Sequence, residues 1–335
     1  MLRIAIHGAG SIGCFVGGAW AMSGLNVTLV GRDYVGDAII EKGMQLTDYS
    51  GFDRKLTADS INFSNNPAAL TNADVIGLAV KSTGTEAAAR EISQHANSSA
   101  VVISLQNGIS NVEKLRDLLP NQTVLAGMVP FNVALLDKGH WHKGTQGDLV
   151  VEKHPALTPI TSASSGGPAQ LTLSDNMTAI AWGKLLVNLN NAINALSGVT
   201  LLEELSDRNY RQVLGASIRE ALTILAAADI EPAKATAFPP KWLPTFVEAP
   251  NFFFNTIGLK LQKIDARARS SMADDFAAGR ATEIDFLNGE VVRLAKKMQM
   301  AAPINEAIVA LVKETETKAP QAWSGSELKR KILGH

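Results

Sequence analysis

Gly8, Ala9, Gly10, Ser11, Ile12 and Gly13 read GAGSIG, with a G-x-G-x-x-G spacing between an apolar run, RIAIH, and a helical pattern beginning at Ser11. In that context the motif predicts a dinucleotide-binding turn. Gly8 permits the tight bend, Gly10 lets a pyrophosphate approach the backbone, and Gly13 lets helix and strand pack closely. The phosphates then meet the N-terminus of the helix, where backbone N–H groups and the dipole favour anions. The next apolar run, NVTLVGR, ends in Gly31 and Arg32, followed by Asp33. Arg32 is a cation suited to a ribose 2′-phosphate. Asp33 is the acid that an NAD site would place on the 2′-hydroxyl if the strand boundary is displaced by a residue or two. The cation leads, so NADP is expected. Lys81, closing the strand-like DVIGLAVK, either points into the same crevice or is a solvated strand-end lysine.

A second set of polar residues lies in the helical half. In WGKLLVNLNNAINALSG (182–198), Lys184, Asn188 and Asn191 fall at i, i+4 and i+7 of one helix face, and Asn190 and Asn194 form a neighbouring i, i+4 pair. The rest of the run is apolar, and burying such a stripe without partners is costly, so something polar should meet it. A lysine among amides, near a nicotinamide, is suited to protonating a carbonyl oxygen. Asparagines satisfying a domain interface or a helix end are the alternative. In RSSMADDFAAGRATEIDFLNGE (269–290), Ser271-x-x-Asp274 and Thr282-x-x-Asp285 both match capping boxes, with Glu283 an ordinary first-turn acid. Spacing alone leaves that segment open.

Other candidates carry less. The single cysteine, Cys14, excludes an intrachain disulfide, fits a reducing compartment and reads as a small packing residue. His140 and His142 in GHWHKG have no third ligand at a useful spacing, so no metal site is expected and they read as a loop or strand end. The basic residues around Arg330 are too few to hold a nucleic acid.

These groups need elements to position them. The chain has 335 residues, suiting two domains, and with 46% hydrophobic and 19% charged residues it should fold with sizeable cores. A formal net charge of -1 provides no field toward nucleic acid or an anionic membrane. No apolar run is long enough to span a bilayer, and the glycine turn stands where a signal peptide would lie, so a cytoplasmic location is expected. Short apolar runs at 2–8, 26–32, 74–81, 100–105 and 123–131 alternate with helical patterns at 11–24, 86–95 and 110–119. That alternation predicts a parallel sheet covered on both faces. Residues 45–64 read as a β-hairpin insertion, 144–175 as two further strands around a loop, TSASSGGP (161–168), and 319–335 as a loosely held tail. Beyond residue 175 helical periodicity dominates. The expected class is α/β, with a Rossmann-type NADP-binding domain over 1–175 followed by an all-helical substrate and catalytic domain over 176–335.

Taken together, GAGSIG (8–13), Arg32, Lys81 in AVKS, QNG (106–108), WGKLLVN (182–188), SSMADD (270–275) and TEIDFLNG (282–289) resemble the ketopantoate reductase family, within the 6-phosphogluconate dehydrogenase-like superfamily. The resemblance runs from near the N-terminus to about residue 305. It implies a Rossmann domain followed by a helical domain, with the active site in the cleft between them, and NADPH-dependent reduction of 2-dehydropantoate in pantothenate and coenzyme A synthesis. By similarity, Arg32 and Lys81 bind the 2′-phosphate region, Asn107 lies near nicotinamide and substrate, and backbone around Val133 lines the cofactor. Lys184 becomes the general acid, Asn188 and Ser271 hold substrate, and Glu283 bonds the cofactor or orients Lys184.

Some positions depart from the family pattern. Ser110 replaces a glycine, and Ala268 stands where a substrate-binding asparagine is common. NLNNAIN is two residues longer than expected, which leaves Asn191 and Asn194 competing for one substrate role. Residues 200–265 are also extended, and the aromatic run at 249–258 serves either as the surface of a homodimer or as internal packing. The leading expectation is a 2-dehydropantoate reductase. A reductase of another small oxo acid and a non-catalytic NADP(H) sensor are the alternatives.

Overall fold

Strands of four to six mostly branched or apolar residues, separated by helices, generate the first half of the molecule. The structure is a computed structural model describing residues 1–258, 268–318 and 322–334. The chain divides into two units, Met1–Met177 and Thr178–His335.

The first unit contains β1 (Arg3–His7), β2 (Asn26–Val30), β3 (Met44–Asp48), β4 (Asp53–Leu56), β5 (Asn62–Ser64), β6 (Val75–Leu78), β7 (Val101–Ser104), β8 (Thr123–Met128), β9 (Val133–Asp137), β10 (His140–Lys143), β11 (Leu149–Glu152) and β12 (Leu171–Ser174). Its helices are α1 (Ser11–Met22), α2 (Asp33–Lys42), α3 (Thr85–His95), α4 (Ser110–Leu118) and α5 (Thr158–Ser164). Eight strands form one sheet in the order β12-β11-β8-β7-β6-β1-β2-β5, and β4-β3-β10-β9 form a second. The large sheet is parallel except where β11 runs antiparallel to β8. Each face is covered, one core gathering around Phe15, Trp20 and Leu29 and the other around Leu70, Ile92 and Leu115.

Helix α1 lies between the two sheets. A Cβ on Gly17 would press on Leu29 of the large sheet, and one on Gly18 on Met44 and Leu46 of the small one. Two adjacent glycines thus let one helix serve both layers, and Trp20 fastens it by donating its indole N–H to the Ala169 carbonyl at 3.0 Å.

In the second unit, α6 (Met177–Asn188), α7 (Asn190–Ser197), α8 (Leu201–Ser206), α9 (Arg208–Ala227) and α10 (Leu243–Val247) precede α11 (Ser271–Ala277), α12 (Asn288–Lys297), α13 (Pro303–Thr317) and α14 (Gly325–Leu333). α9 is the hub, with α10 and α14 packed on it.

Three local expectations fail. The segment 45–64 is not one insertion: β3 and β4 form the hairpin, but β5 joins the large sheet beside β2. An edge strand needs to bury little, and Phe63 supplies its apolar contact while polar neighbours disguise it. The serine-rich 161–168 is helical to Ser164, because Ile160 and Ser164 turn inward one helical turn apart. Of the tail expected to be loose, the described residues 322–334 are held in place. Ser324 and Glu327 form a capping box, and Leu328 and Ile332 bury one face of α14.

Candidate active site

β1 ends at His7 and the chain turns at once. Gly8 sits at φ +104°, a conformation L side chains avoid, and a Cβ there would come 2.5 Å from the Val80 nitrogen. Both the Gly8 and Ala9 N–H groups donate to the Val30 carbonyl at 3.0 Å, fastening the turn to the end of β2. A Cβ on Gly13 would strike the Gly8 carbonyl oxygen, so the third glycine allows α1 to start this close to the strand. Gly10 differs: a Cβ there would meet nothing within 4 Å, and its φ is ordinary at -85°. Its lack of a side chain serves no contact inside the protein. α1 has neither a side-chain cap at Gly10 nor an acid in its first turn. An open approach to an uncapped helix start fits a dinucleotide pyrophosphate.

Beyond β2, Gly31 lies against Ala9, where a Cβ would come 2.5 Å from the Ala9 Cβ. Arg32 is exposed at the N-cap of α2, and Asp33 opens that helix. The strand ends at Val30, one residue before Gly31.

Lys81 and Asn107 lie on the loops that follow β6 and β7. Lys81 is exposed and Asn107 half-buried. Beneath them runs a buried polar network that the motif reading did not identify. The Asn111 amide donates to the Asn107 carbonyl at 2.6 Å and the Ser82 hydroxyl at 2.9 Å, and its Oδ1 accepts from the Thr85 hydroxyl at 3.1 Å. Gln106 Nε2 donates to the Val80 carbonyl and Thr85 Oγ1 at 3.0 and 2.9 Å. These residues weld the AVKS loop to the QNG loop. The available signal was the file of small polar residues directly after two apolar strands. Val133 opens β9, opposite Lys143 in the small sheet. His140 and His142 lie on β10, and His140 Nε2 and His142 Nδ1 each pair with the Thr47 hydroxyl at 2.8 Å. Cys14 is buried, which pushes its thiol pKa up.

In the helical unit, Lys184 and Asn188 share a face of α6, and both are half-buried. Burial lowers the Lys184 ammonium to about 8, and the nearby Glu283 carboxylate opposes that fall. Gly183 precedes it because the Ala233 backbone crosses α6 there. Ala233 N–H donates to the Ala179 carbonyl at 2.8 Å, and a Cβ on Gly183 would strike the Ala233 carbonyl oxygen. Glu283 is half-buried at the start of a short 3₁₀ turn, Ile284–Phe286. The preceding Thr282 is fixed by its N–H to Glu316 Oε1 at 2.8 Å, and Arg280 pairs with buried Asp275 at 2.9 Å.

The asparagines separate. The helix interrupts at Leu189, whose N–H still bonds to the Leu185 carbonyl at 3.0 Å, and Asn191 follows half-buried. Asn194 is fully buried. Its amide donates to the Val199 carbonyl at 3.1 Å and its Oδ1 accepts from Ser270 N–H at 2.9 Å. That removes Asn194 from the substrate candidates and leaves Asn191. Asn190 donates to the buried Glu204 at 2.9 Å. The capping expectation at 271 also shifts by one residue: Ser270 caps α11, bonding to Ala273 N–H at 3.1 Å, and Ser271 is exposed on the first turn. The Thr282 hydroxyl accepts from Ile284 N–H at 3.3 Å, in a turn rather than a capping box.

Two family descriptions match the chain: "Ketopantoate reductase PanE/ApbA" over residues 4–156 and "Ketopantoate reductase PanE/ApbA C terminal" over 176–316. The chain is 26% identical over 322 residues to a 2-dehydropantoate 2-reductase of Halobacterium salinarum, covering 93% of this chain and 98% of the relative. A 2-dehydropantoate 2-reductase of Pyrococcus abyssi is 28% identical, with 94% and 98% covered. Among solved structures, a PanE/ApbA family ketopantoate reductase from Ralstonia eutropha superposes with a TM-score of 0.80 at 29% identity, covering 94% of this chain and 99% of that one. A D-mandelate dehydrogenase solved with NADH and anilino(oxo)acetate shares the fold, with a TM-score of 0.77 at 22% identity and coverage of 94% and 99%.

Proposed function

The chain belongs to the ketopantoate reductase family, whose members are oxidoreductases, and from that premise we propose that it reduces the keto group of 2-dehydropantoate with NADPH, using Lys184 as general acid. The observation that carries this reading is Lys184 itself: an ammonium lowered to about 8, still protonated near neutrality, with Glu283 close by. A proton donor is most effective when its pKa lies near the working pH.

The glycine turn and Arg32 would hold the dinucleotide, the first through backbone at the pyrophosphate and the second through charge at the 2′-phosphate. The bound nicotinamide supplies the hydride. As negative charge builds on the keto oxygen, the Lys184 ammonium stabilises it and then gives up its proton. Asn188, Asn191 and Ser271 are the polar groups proposed to orient the substrate's hydroxyl and carboxylate. Glu283 keeps the ammonium charged by opposing the effect of burial. Asn107 and Lys81, on their welded loops, would contact the cofactor.

The test is NADPH oxidation with 2-dehydropantoate beside a panel of other 2-oxo acids, with Lys184→Ala as control. Saturable turnover of 2-dehydropantoate that collapses in the variant supports the reading. Turnover confined to another acid keeps the mechanism and replaces the substrate. Binding of NADPH without turnover of any acid, equal in both proteins, favours a sensor. One observation favours the second outcome: Ala268 carries a methyl where the family resemblance leads one to expect an amide, and its carbonyl accepts from Leu201 N–H at 2.9 Å.

A further inference from the structure

The end of β2 offers two opposed ways of reading an adenosine ribose. Arg32 attracts a 2′-phosphate, whereas Asp33, one residue later, is an acid that would accept from a 2′-hydroxyl and repel a phosphate. Both are exposed. Their place relative to the glycine turn is set by backbone: Gly8 and Ala9 bond to the Val30 carbonyl, and Gly31 abuts Ala9. What distinguishes them is a third residue, Asn65. β5 pairs in parallel with β2, and Gly31 N–H donates to the Ser64 carbonyl at 3.0 Å, so the residue after β5 arrives beside α2. Asn65 Nδ2 there donates to Asp33 Oδ1 at 2.5 Å. The turn that presents Asn65 is itself braced, since Asn66 N–H donates to Ser64 Oγ at 3.0 Å and Asn66 Oδ1 accepts from Ala68 N–H at 2.9 Å.

We infer that Asn65 is a specificity-determining residue of the cofactor site, engaging Asp33 so that Arg32, and not the acid beside it, addresses the ribose 2′ position. The ligand it selects is a nicotinamide dinucleotide bearing a 2′-phosphate. Without Asn65 the Asp33 carboxylate is released to swing toward that position, repelling the phosphate and accepting from a free hydroxyl. This inference rests on the proposed role of Arg32, and the experiment separates the two. Because Asn65 is exposed, its replacement leaves the fold intact.

Equilibrium dissociation constants for NADPH and NADH, by calorimetry or fluorescence, are to be measured on wild type, Arg32→Ala, Asn65→Ala, Asp33→Asn and Asn65→Ala with Asp33→Asn. Asn65→Ala should lower the preference for NADPH over NADH by about five-fold, the scale of one exposed charge interaction. Adding Asp33→Asn should restore it, because the released side chain is then neutral. A preference unchanged in Asn65→Ala but lost in Arg32→Ala overturns the inference and leaves the Arg32 reading standing. A preference unchanged in both overturns both. A loss in Asn65→Ala that Asp33→Asn does not repair also overturns it, because the effect would not run through Asp33.

Discussion

The half proposed to hold the cofactor and the half proposed to supply the acid are built from different materials. Around Gly8–Gly13 the geometry is made by backbone: positive φ, close approach and N–H groups turned toward the Val30 carbonyl. Around Lys184 it is made by side chains, through burial, a nearby carboxylate and buried amides. A backbone site fails when something is added to it, and a side-chain site fails when something is taken away.

The largest effect should come from Lys184→Ala. It should lower kcat by about 10²- to 10⁴-fold, the usual contribution of a positioned acid, with NADPH affinity unchanged. In wild type the acid is present below about pH 8 and lost above it, so kcat/KM should fall on the alkaline side with a midpoint near 8. A profile flat to pH 10 would remove Lys184 from the proton transfer.

The glycines sharpen the backbone side of the contrast. A side chain at Gly10 meets no protein atom within 4 Å, so Gly10→Val should keep its melting temperature and lose NADPH affinity. A steric cost of about 1–3 kcal/mol corresponds to roughly 5- to 150-fold in affinity. Gly13→Ala should instead lower the melting temperature itself, because its methyl meets the Gly8 carbonyl. Equal behaviour of the two variants would erase the distinction between a glycine kept for ligand and one kept for packing.

Asn111 is where side chains enter the backbone-built half. Asn111→Ala strips partners from the Asn107 carbonyl, Ser82 and Thr85. A loss of about 1–3 kcal/mol in denaturant unfolding is expected from the unpaired buried groups, with weaker NADPH binding as the two loops separate.

A change confined to stability concerns Glu204, fully buried beside Asn190 and raised by burial from 4.5 to about 8. Its folded pKa lies above its unfolded value, so the stability linked to its proton is complete below about 4.5 and drains away as pH rises to about 8. Glu204→Gln removes that slope. Its melting temperature should gain steadily on wild type as pH rises from acid to mildly alkaline solution. A constant difference across that range would show that Glu204 does not titrate with folding.

How much of this was legible beforehand follows the same division. The glycine turn, the parallel strands and the lysine–asparagine face of α6 show in the sequence because each is a local pattern, set by spacing along one segment. The helix over Thr158–Ser164 and the ordered α14 were masked by polar composition, since what orders them is a few inward side chains meeting distant elements. Asn191 and Asn194 have the same chemistry and neighbouring positions. The Ser270 N–H, brought in by folding, and the Val199 carbonyl decide that Asn194 is structural. Likewise Arg32 and Asp33 are both plain in the sequence, but the amide that engages one of them comes from Asn65, a separate strand away. The sequence by itself determined the α/β architecture, the turn and the candidate acid, because spacing and periodicity act within one segment. Which polar groups are already satisfied, and which remain for chemistry, only the tertiary structure decided, because a hydrogen bond needs its partner within about 3 Å, and Ser270 for Asn194 and Asn65 for Asp33 lie far along the chain.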